Sequence, residues 1–269
     1  MNDPIPTNAR PRKRLRITLG GMMVFILIIG GWLGWLVHRA RVQRQAVAAI
    51  VKAGGNVLYD WEYGHPPDAK PNGPKWLREL IGIDYFDTVV AINANRPAVD
   101  DAVVAHIGRL VHVKFLGLQD STVTDAGLAK LAGLHELRNL LLRAPNVNGS
   151  SFRHLSELRG LCNLHFVMTP ITDENLAYLL PLTSIQRLSF YDTRITDAGM
   201  KNLAKMNGLQ KIWLQTDGVG DEGLRELGRH KGTLTVRLSS PRNKRVKTRI
   251  TPQGIEAMKT LAPGMIIIP

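Results

Sequence analysis

The sequence predicts an α/β fold wound from repeated helix–strand units, preceded by a single membrane-spanning helix. Three observations predict it. First, "VTDAGL" at Val123 returns as "ITDENL" at Ile171, "ITDAGM" at Ile195 and "VGDEGL" at Val219. Weaker copies stand at Val99 ("VDDAVV") and Val147 ("VNGSSF"), so the starts fall every 24 residues from 99 to 219. Second, apolar columns run in the same frame, spaced by three in one part of each unit and by two in another, which are the spacings of a helix face and a strand face. Third, the 21 residues from Ile17 to Val37 carry no charge.

The elements follow in chain order. Residues 1–16 form a basic tail with five Lys/Arg against one acid, Asp3. Residues 17–37 are long enough, at about 1.5 Å per residue, to cross a hydrocarbon layer of about 30 Å. Trp32 and Trp35 lie near one end of the run, where a bilayer interface would be. A cleavable signal peptide is the rival reading. Its apolar region is usually about 7–15 residues and a small-residue cleavage site follows it, whereas here the run is longer and "HRARVQRQ" follows. The expectation is an uncleaved single-pass anchor, with the larger basic cluster on the cytoplasmic side and the rest of the chain outside the cytoplasm. Gly30 and Gly34 have the spacing that can pair such helices.

Residues 38–55 continue as a juxtamembrane helix that stops at Gly54-Gly55. Residues 56–98 form a capping region. In it "VLYDW" is strand-like, "PKWLREL" starts a helix with Pro74 at its first turn, and Val89, Ile92 and Ala94 keep a strand phase. The repeat domain occupies 99–269. Helical columns run through Val104, Leu128, Phe152, Leu176, Met200 and Leu224, and three residues on through Ile107, Leu131, Leu155, Leu179, Leu203 and Leu227. Strand pairs follow at Leu116/Leu118, Leu140/Leu142, Leu164/Phe166, Leu188/Phe190 and Ile212/Leu214. A seventh motif, "ITPQGI", begins at Ile250 after a longer step of 31, and the sequence closes on the apolar "MIIIP".

The pattern L-x-x-L-x-L-x-x-(S/T)-x-(I/V)-T-D-x-G-L resembles leucine-rich repeats, in a 24-residue bacterial form akin to the cysteine-containing subtype. The resemblance covers about residues 89–269. It implies a solenoid, or horseshoe, with parallel strands on a concave side and helices on a convex side, stable only as a stack. The turn after the strand carries Ser121, Thr169, Thr193 and Thr248, whose hydroxyls can bond nearby backbone. Pro145 and Asp217 depart from this and imply less regular turns.

Net charge is +13, but residues 1–44 supply +7 of it, so the basic balance is not a nucleic-acid signature for the repeat domain. A single cysteine, Cys162, excludes an intrachain disulfide. Asp101, Asp125, Asp173, Asp197 and Asp221 share one repeat position in the first turn of each helix, where a negative charge suits the helix dipole. Thr124, Thr172, Thr196 and Thr251 precede that turn as N-caps. A role repeated in most units is structural. The histidines show no metal-ligand spacing, and motifs of the HExxH, GxxxxGK[ST] and GxSxG types are missing. The expectation is therefore no catalytic residues, no metal and no cofactor.

Residues between the core leucines face the concavity. Phe115, Leu141, Val167, Met168, Tyr191 and Trp213 form an apolar, aromatic-containing strip there, with Arg143, Arg187, Lys211 and Arg237 beside it and His165 displayed on the same face. Tyr, Trp and Arg together favour a protein-binding surface. The alternative is tethering to an anionic polymer or lipid headgroups through Arg242, Lys244, Arg245, Lys247 and Arg249 in the long sixth unit. That stretch has no aromatic residue for base stacking. The expected function is a membrane-anchored interaction protein whose partner is a protein or peptide of some acidic character. Self-association is open through Gly30 and Gly34 or through a C-terminal edge strand.

Overall fold

The computed structural model describes residues 19–66, 68–238 and 249–268. It divides into two compact units, residues 1–39 and 40–269. Helix α1 (Leu19–Lys52) runs through the boundary between them. By length and composition, its Met22–Lys52 stretch is long and apolar enough to cross a membrane. The apolar side chains from Met22 to Ile29, together with Trp32, Leu33, Trp35 and Val37, lie exposed on it. A helix apolar all round needs an apolar surrounding.

In the second unit, Ala46, Ile50 and Ala53 of α1 are buried in the solenoid core. Gln43 fastens the helix there. Its amide donates to Asp84 Oδ1 (3.1 Å) and to the Asp87 carbonyl (2.9 Å), and its Oε1 accepts from Val89 N–H (3.2 Å). The strands then build one sheet in chain order: β1 (Asn56–Tyr59), β2 (Val89–Asn93), β3 (Phe115–Gln119), β4 (Asn139–Arg143), β5 (Asn163–Val167), β6 (Arg187–Tyr191), β7 (Lys211–Gln215), β8 (Leu234–Leu238) and β9 (Met265–Ile268). β1 pairs antiparallel with β2, and every later pairing is parallel. The antiparallel β1 closes one edge of the sheet. At the other edge β9 leaves Ile266 and Ile268 exposed.

Between strands run the helices α2 (Lys75–Ile81), α3 (Asp101–Ile107), α4 (Asp125–Leu128), α5 (Phe152–Leu155), α6 (Asp173–Leu176), α7 (Asp197–Leu203), α8 (Asp221–Leu227) and α9 (Pro252–Leu261). The apolar columns become the core. Leu116, Leu140, Leu164, Leu188, Ile212 and Val236 are successive register partners, and so are Leu118, Leu142, Phe166, Phe190, Leu214 and Leu238. Phe166 lies between Phe152 and Phe190, with ring centroids 5.3 and 5.6 Å away, and all three rings are fully buried.

The T-D-x-G motif has a second job beyond the helix dipole. Thr124, Thr172, Thr196 and Thr251 each cap their helix by accepting a backbone N–H. Each motif aspartate also reaches into the following unit. Asp101 accepts from Thr124 N–H and Oγ1–H (2.8 and 2.6 Å), Asp173 from Thr196 (2.9 and 2.6 Å) and Asp221 from Thr251 (2.7 and 2.7 Å). Asp197 accepts from Gly220 and Gly223 N–H (2.7 and 2.9 Å). The carboxylate fills the space a Cβ would need at Gly127, Gly199, Gly223 and Gly254, so the motif glycine makes room for the aspartate of the unit before. Two variations fit this rule. Opposite Asp125 stands Ser151, which uses its hydroxyl to bond Asp125 Oδ1 at 2.8 Å. The unit at Val147 has Gly149 in place of the aspartate, and the next unit has Asn175 in place of the glycine.

The turns after the strands also differ by unit. Asp120, Met168 and Asp192 adopt positive φ (53°, 48° and 51°), one residue ahead of Ser121, Thr169 and Thr193. The units with Pro145 and Asp217 have no such residue. Among the turn hydroxyls, Thr169 Oγ1 donates to the Val167 carbonyl at 3.0 Å. Ser121 Oγ and Thr193 Oγ1 are buried without a partner among the described residues, so there the hydroxyl does not make the expected backbone bond.

Candidate functional site: the strand face

Three rows of side chains stand on the face of the sheet away from the leucine core. The parallel register fixes them. The central row runs Gly117, Leu141, His165, Ser189, Trp213, Arg237. The row two residues earlier runs Phe115, Asn139, Asn163, Arg187, Lys211, Thr235, and the row two residues later includes Arg143, Val167, Tyr191 and Gln215. Phe115, Leu141, Arg143, His165, Val167, Arg187, Tyr191, Lys211, Trp213 and Arg237 are all on β3–β8 and none is fully buried. Neighbouring strands are about 4.8 Å apart, so adjacent members of a row can touch.

The earlier row is a hydrogen-bonded ladder. Asn163 donates its amide to Asn139 Oδ1, and Arg187 Nη1 donates to Asn163 Oδ1 at 3.3 Å. Arg143 behaves differently from the other cations. It pairs with Asp120 (3.2 Å) and donates to Met168 Sδ (3.1 Å), so its charge is balanced at the turn. Arg187, Lys211 and Arg237 have no ion-pair partner among the described residues. The strand face of β5–β8 carries no acidic residue.

The middle of the central row has a geometry that the repeat frame does not reveal. His165 and Trp213 are two strands apart, yet their rings stack with centroids 6.1 Å apart and an interplanar angle of 30°. They lean over Ser189, which is only 1% exposed. Its hydroxyl has no hydrogen-bond partner among the described residues. Burial, with a smaller contribution from the Arg187 charge, lowers the His165 pKa, so the imidazole is neutral at pH 7. Trp213 is thus half-buried by His165 and displays the rest of its indole.

Ser189 escaped sequence reading because it stands among larger, more conspicuous residues. Its signal is that it is the one small residue between an imidazole and an indole at a single repeat position. Of the basic loop, Arg249 is described and bridges backbone to backbone with Gly220, while Arg242, Lys244, Arg245 and Lys247 lie outside the described residues. Gly30 and Gly34 have open space at their Cβ positions on α1. No group of three or more His, Cys, Asp or Glu that could hold a metal occurs among the described residues.

A 24-residue period, one parallel strand per period and a continuous apolar core give the second unit the fold of a leucine-rich repeat solenoid. Among solved structures the chain is similar to an internalin (inlF) from Listeria monocytogenes, at 19% identity and a TM-score of 0.43 over 61% of this chain. It spans 43% of the length of that protein. It is also similar to an internalin C2 (inlC2) from the same organism, at 16% identity and a TM-score of 0.41 over 60% of this chain and 78% of the other. No protein-family model and no curated protein matches the chain.

Proposed function

We propose that the protein is a membrane-anchored interaction module whose strand face binds a protein or peptide partner. The carrying observation is the strand face of β5–β8, where a half-displayed tryptophan, a tyrosine and three cations without ion-pair partners among the described residues share a surface whose strands carry no acid. Aromatic and arginine side chains are the residues that dominate binding energy at protein interfaces. The uncompensated positive charge gives the partner its complementary character: acidic, and laid across the strands. The module works by binding rather than by chemistry.

The α1 segment within residues 17–37 anchors it, the basic tail lies on the cytoplasmic side, and the solenoid lies on the other. Partner capture from native membranes with the full-length chain tests the reading. Trp213→Ala, Tyr191→Ala and Arg187→Ala weaken capture, Trp213→Ala by about thirtyfold, as for a central anchor. Three variants that bind like the parent refute the strand face as the docking surface.

A further inference from the structure

The centre of the strand face contains a feature that a general docking surface does not require. A buried hydroxyl without a partner costs free energy in the unliganded protein. At Ser189 the hydroxyl lies in register between two stacked side chains, His165 and Trp213, each of which has other staggered rotamers. Parting the rings opens a slot one strand wide with an O–H at its floor. Arg187 and Lys211 are register partners at the mouth, both exposed, and neither has an ion-pair partner among the described residues.

The group that fits is planar, because it enters between two rings. It accepts a hydrogen bond, because the free donor is the Ser189 O–H. It is anionic, because the mouth holds two cations and the face of β5–β8 holds no acid. A carboxylate meets all three conditions.

We propose that His165, Ser189, Trp213, Arg187 and Lys211 form a carboxylate subsite, which seats a glutamate or aspartate side chain of the bound partner. One carboxylate oxygen accepts from the Ser189 hydroxyl and the other from the Arg187 and Lys211 cations, while the methylene stem lies between the parted rings of His165 and Trp213. The subsite rests on the reading of the strand face as a docking surface and names what that surface selects.

Occupancy has a second consequence. The charged and titratable groups that share the His165 face on neighbouring strands are Arg143, Arg187, Tyr191 and Lys211, of which Arg143 is already neutralised by Asp120. An incoming carboxylate places a negative charge beside the imidazole and offsets the Arg187 charge, the smaller of the two causes that disfavour imidazolium after burial, so binding raises the His165 pKa and tightens as the medium is acidified toward the carboxylate's own pKa.

The test uses the full-length chain in detergent micelles with 15N-labelled tryptophan, and two blocked amino acids as probes: N-acetyl-glutamate methylamide and its glutamine counterpart. The glutamate probe shifts the Trp213 indole resonance with saturation and raises the His165 titration midpoint. The glutamine probe is weaker by about tenfold or more, the loss that goes with removing a charge-assisted hydrogen bond. Arg187→Gln and Lys211→Gln each bring the glutamate probe down toward the glutamine one. Ser189→Ala, which leaves the mouth charges in place, weakens it by severalfold.

Equal response to the two probes overturns the subsite. So does the lack of saturation below about 100 mM, an affinity worth little more than one factor of ten. If strand-face variants still abolish partner capture in that case, the docking surface stands and only the carboxylate selection falls.

Discussion

Gly199 and Asp173 provide a test of how the repeat motif holds the units together. Asp173 accepts from both the backbone and the hydroxyl of Thr196, at 2.9 and 2.6 Å, and its carboxylate occupies the place of a Gly199 Cβ. Hydrogen bonds to a charged group contribute about 1.5–3 kcal/mol each, and less when exposed, as these are, so Asp173→Ala costs about 2–3 kcal/mol. For a domain of this size that lowers Tm by about 5–10 °C.

Gly199→Ala alone forces the carboxylate aside, at a cost of about 1–3 kcal/mol for overpacking, against about 1 kcal/mol gained in helix propensity. In the Asp173→Ala background the obstruction is gone and the next neighbour, Leu176 Cδ1, stands 3.2 Å from the added methyl and can give way. There Gly199→Ala becomes neutral or stabilising. Urea unfolding of the four proteins of this double-mutant cycle reads the coupling. Equal destabilisation by Gly199→Ala in both backgrounds refutes the idea that the carboxylate dictates the glycine.

Three further outcomes follow from other parts of the molecule. Phe166→Ala empties the middle of the three-ring stack and costs about 3–5 kcal/mol, measured by denaturant unfolding. Gln43→Leu orphans the Val89 N–H and the Asp87 carbonyl in a buried setting, at about 1–3 kcal/mol for each group, and lowers Tm by several degrees. His165 has a folded pKa below its unfolded value of about 6.5, so the folded state binds fewer protons. Its contribution to stability is present above that pH and is lost as the pH falls through 6.5 toward the folded pKa. His165→Gln therefore flattens the acid limb of stability against pH.

The fold was legible because a strict period converts sequence position directly into strand register. Once Leu140, Leu164 and Leu188 share a column, Leu141, His165 and Ser189 must share the opposite one. The strand face was legible for the same reason, and Trp213 could be placed beside Arg237 without coordinates. Two things were not. The aspartates already had a sufficient local explanation in the helix dipole, and their hydrogen bonds reach partners 23–30 residues away. The paired exchange at Gly149 and Asn175 was the written trace of that contact.

The lean of His165 and Trp213 over Ser189 was hidden because it depends on rotamers rather than on repeat position. The cap was the least legible region. Gln43 meets Asp84 and Asp87 across more than 40 residues of chain that has no repeat, so no column predicted the contact.

The proposed function requires partners to dock on the strand face and not on the helix side. Site-directed photocrosslinking in native membranes measures this most directly, with the photoreactive residue placed in the full-length chain at Tyr191 or Gln215 and, for comparison, at Arg153 or Glu157 on the helix side. The strand-face positions are expected to give a discrete crosslinked partner that is lost with Trp213→Ala. Crosslinks arising from Arg153 or Glu157 alone contradict the proposed function.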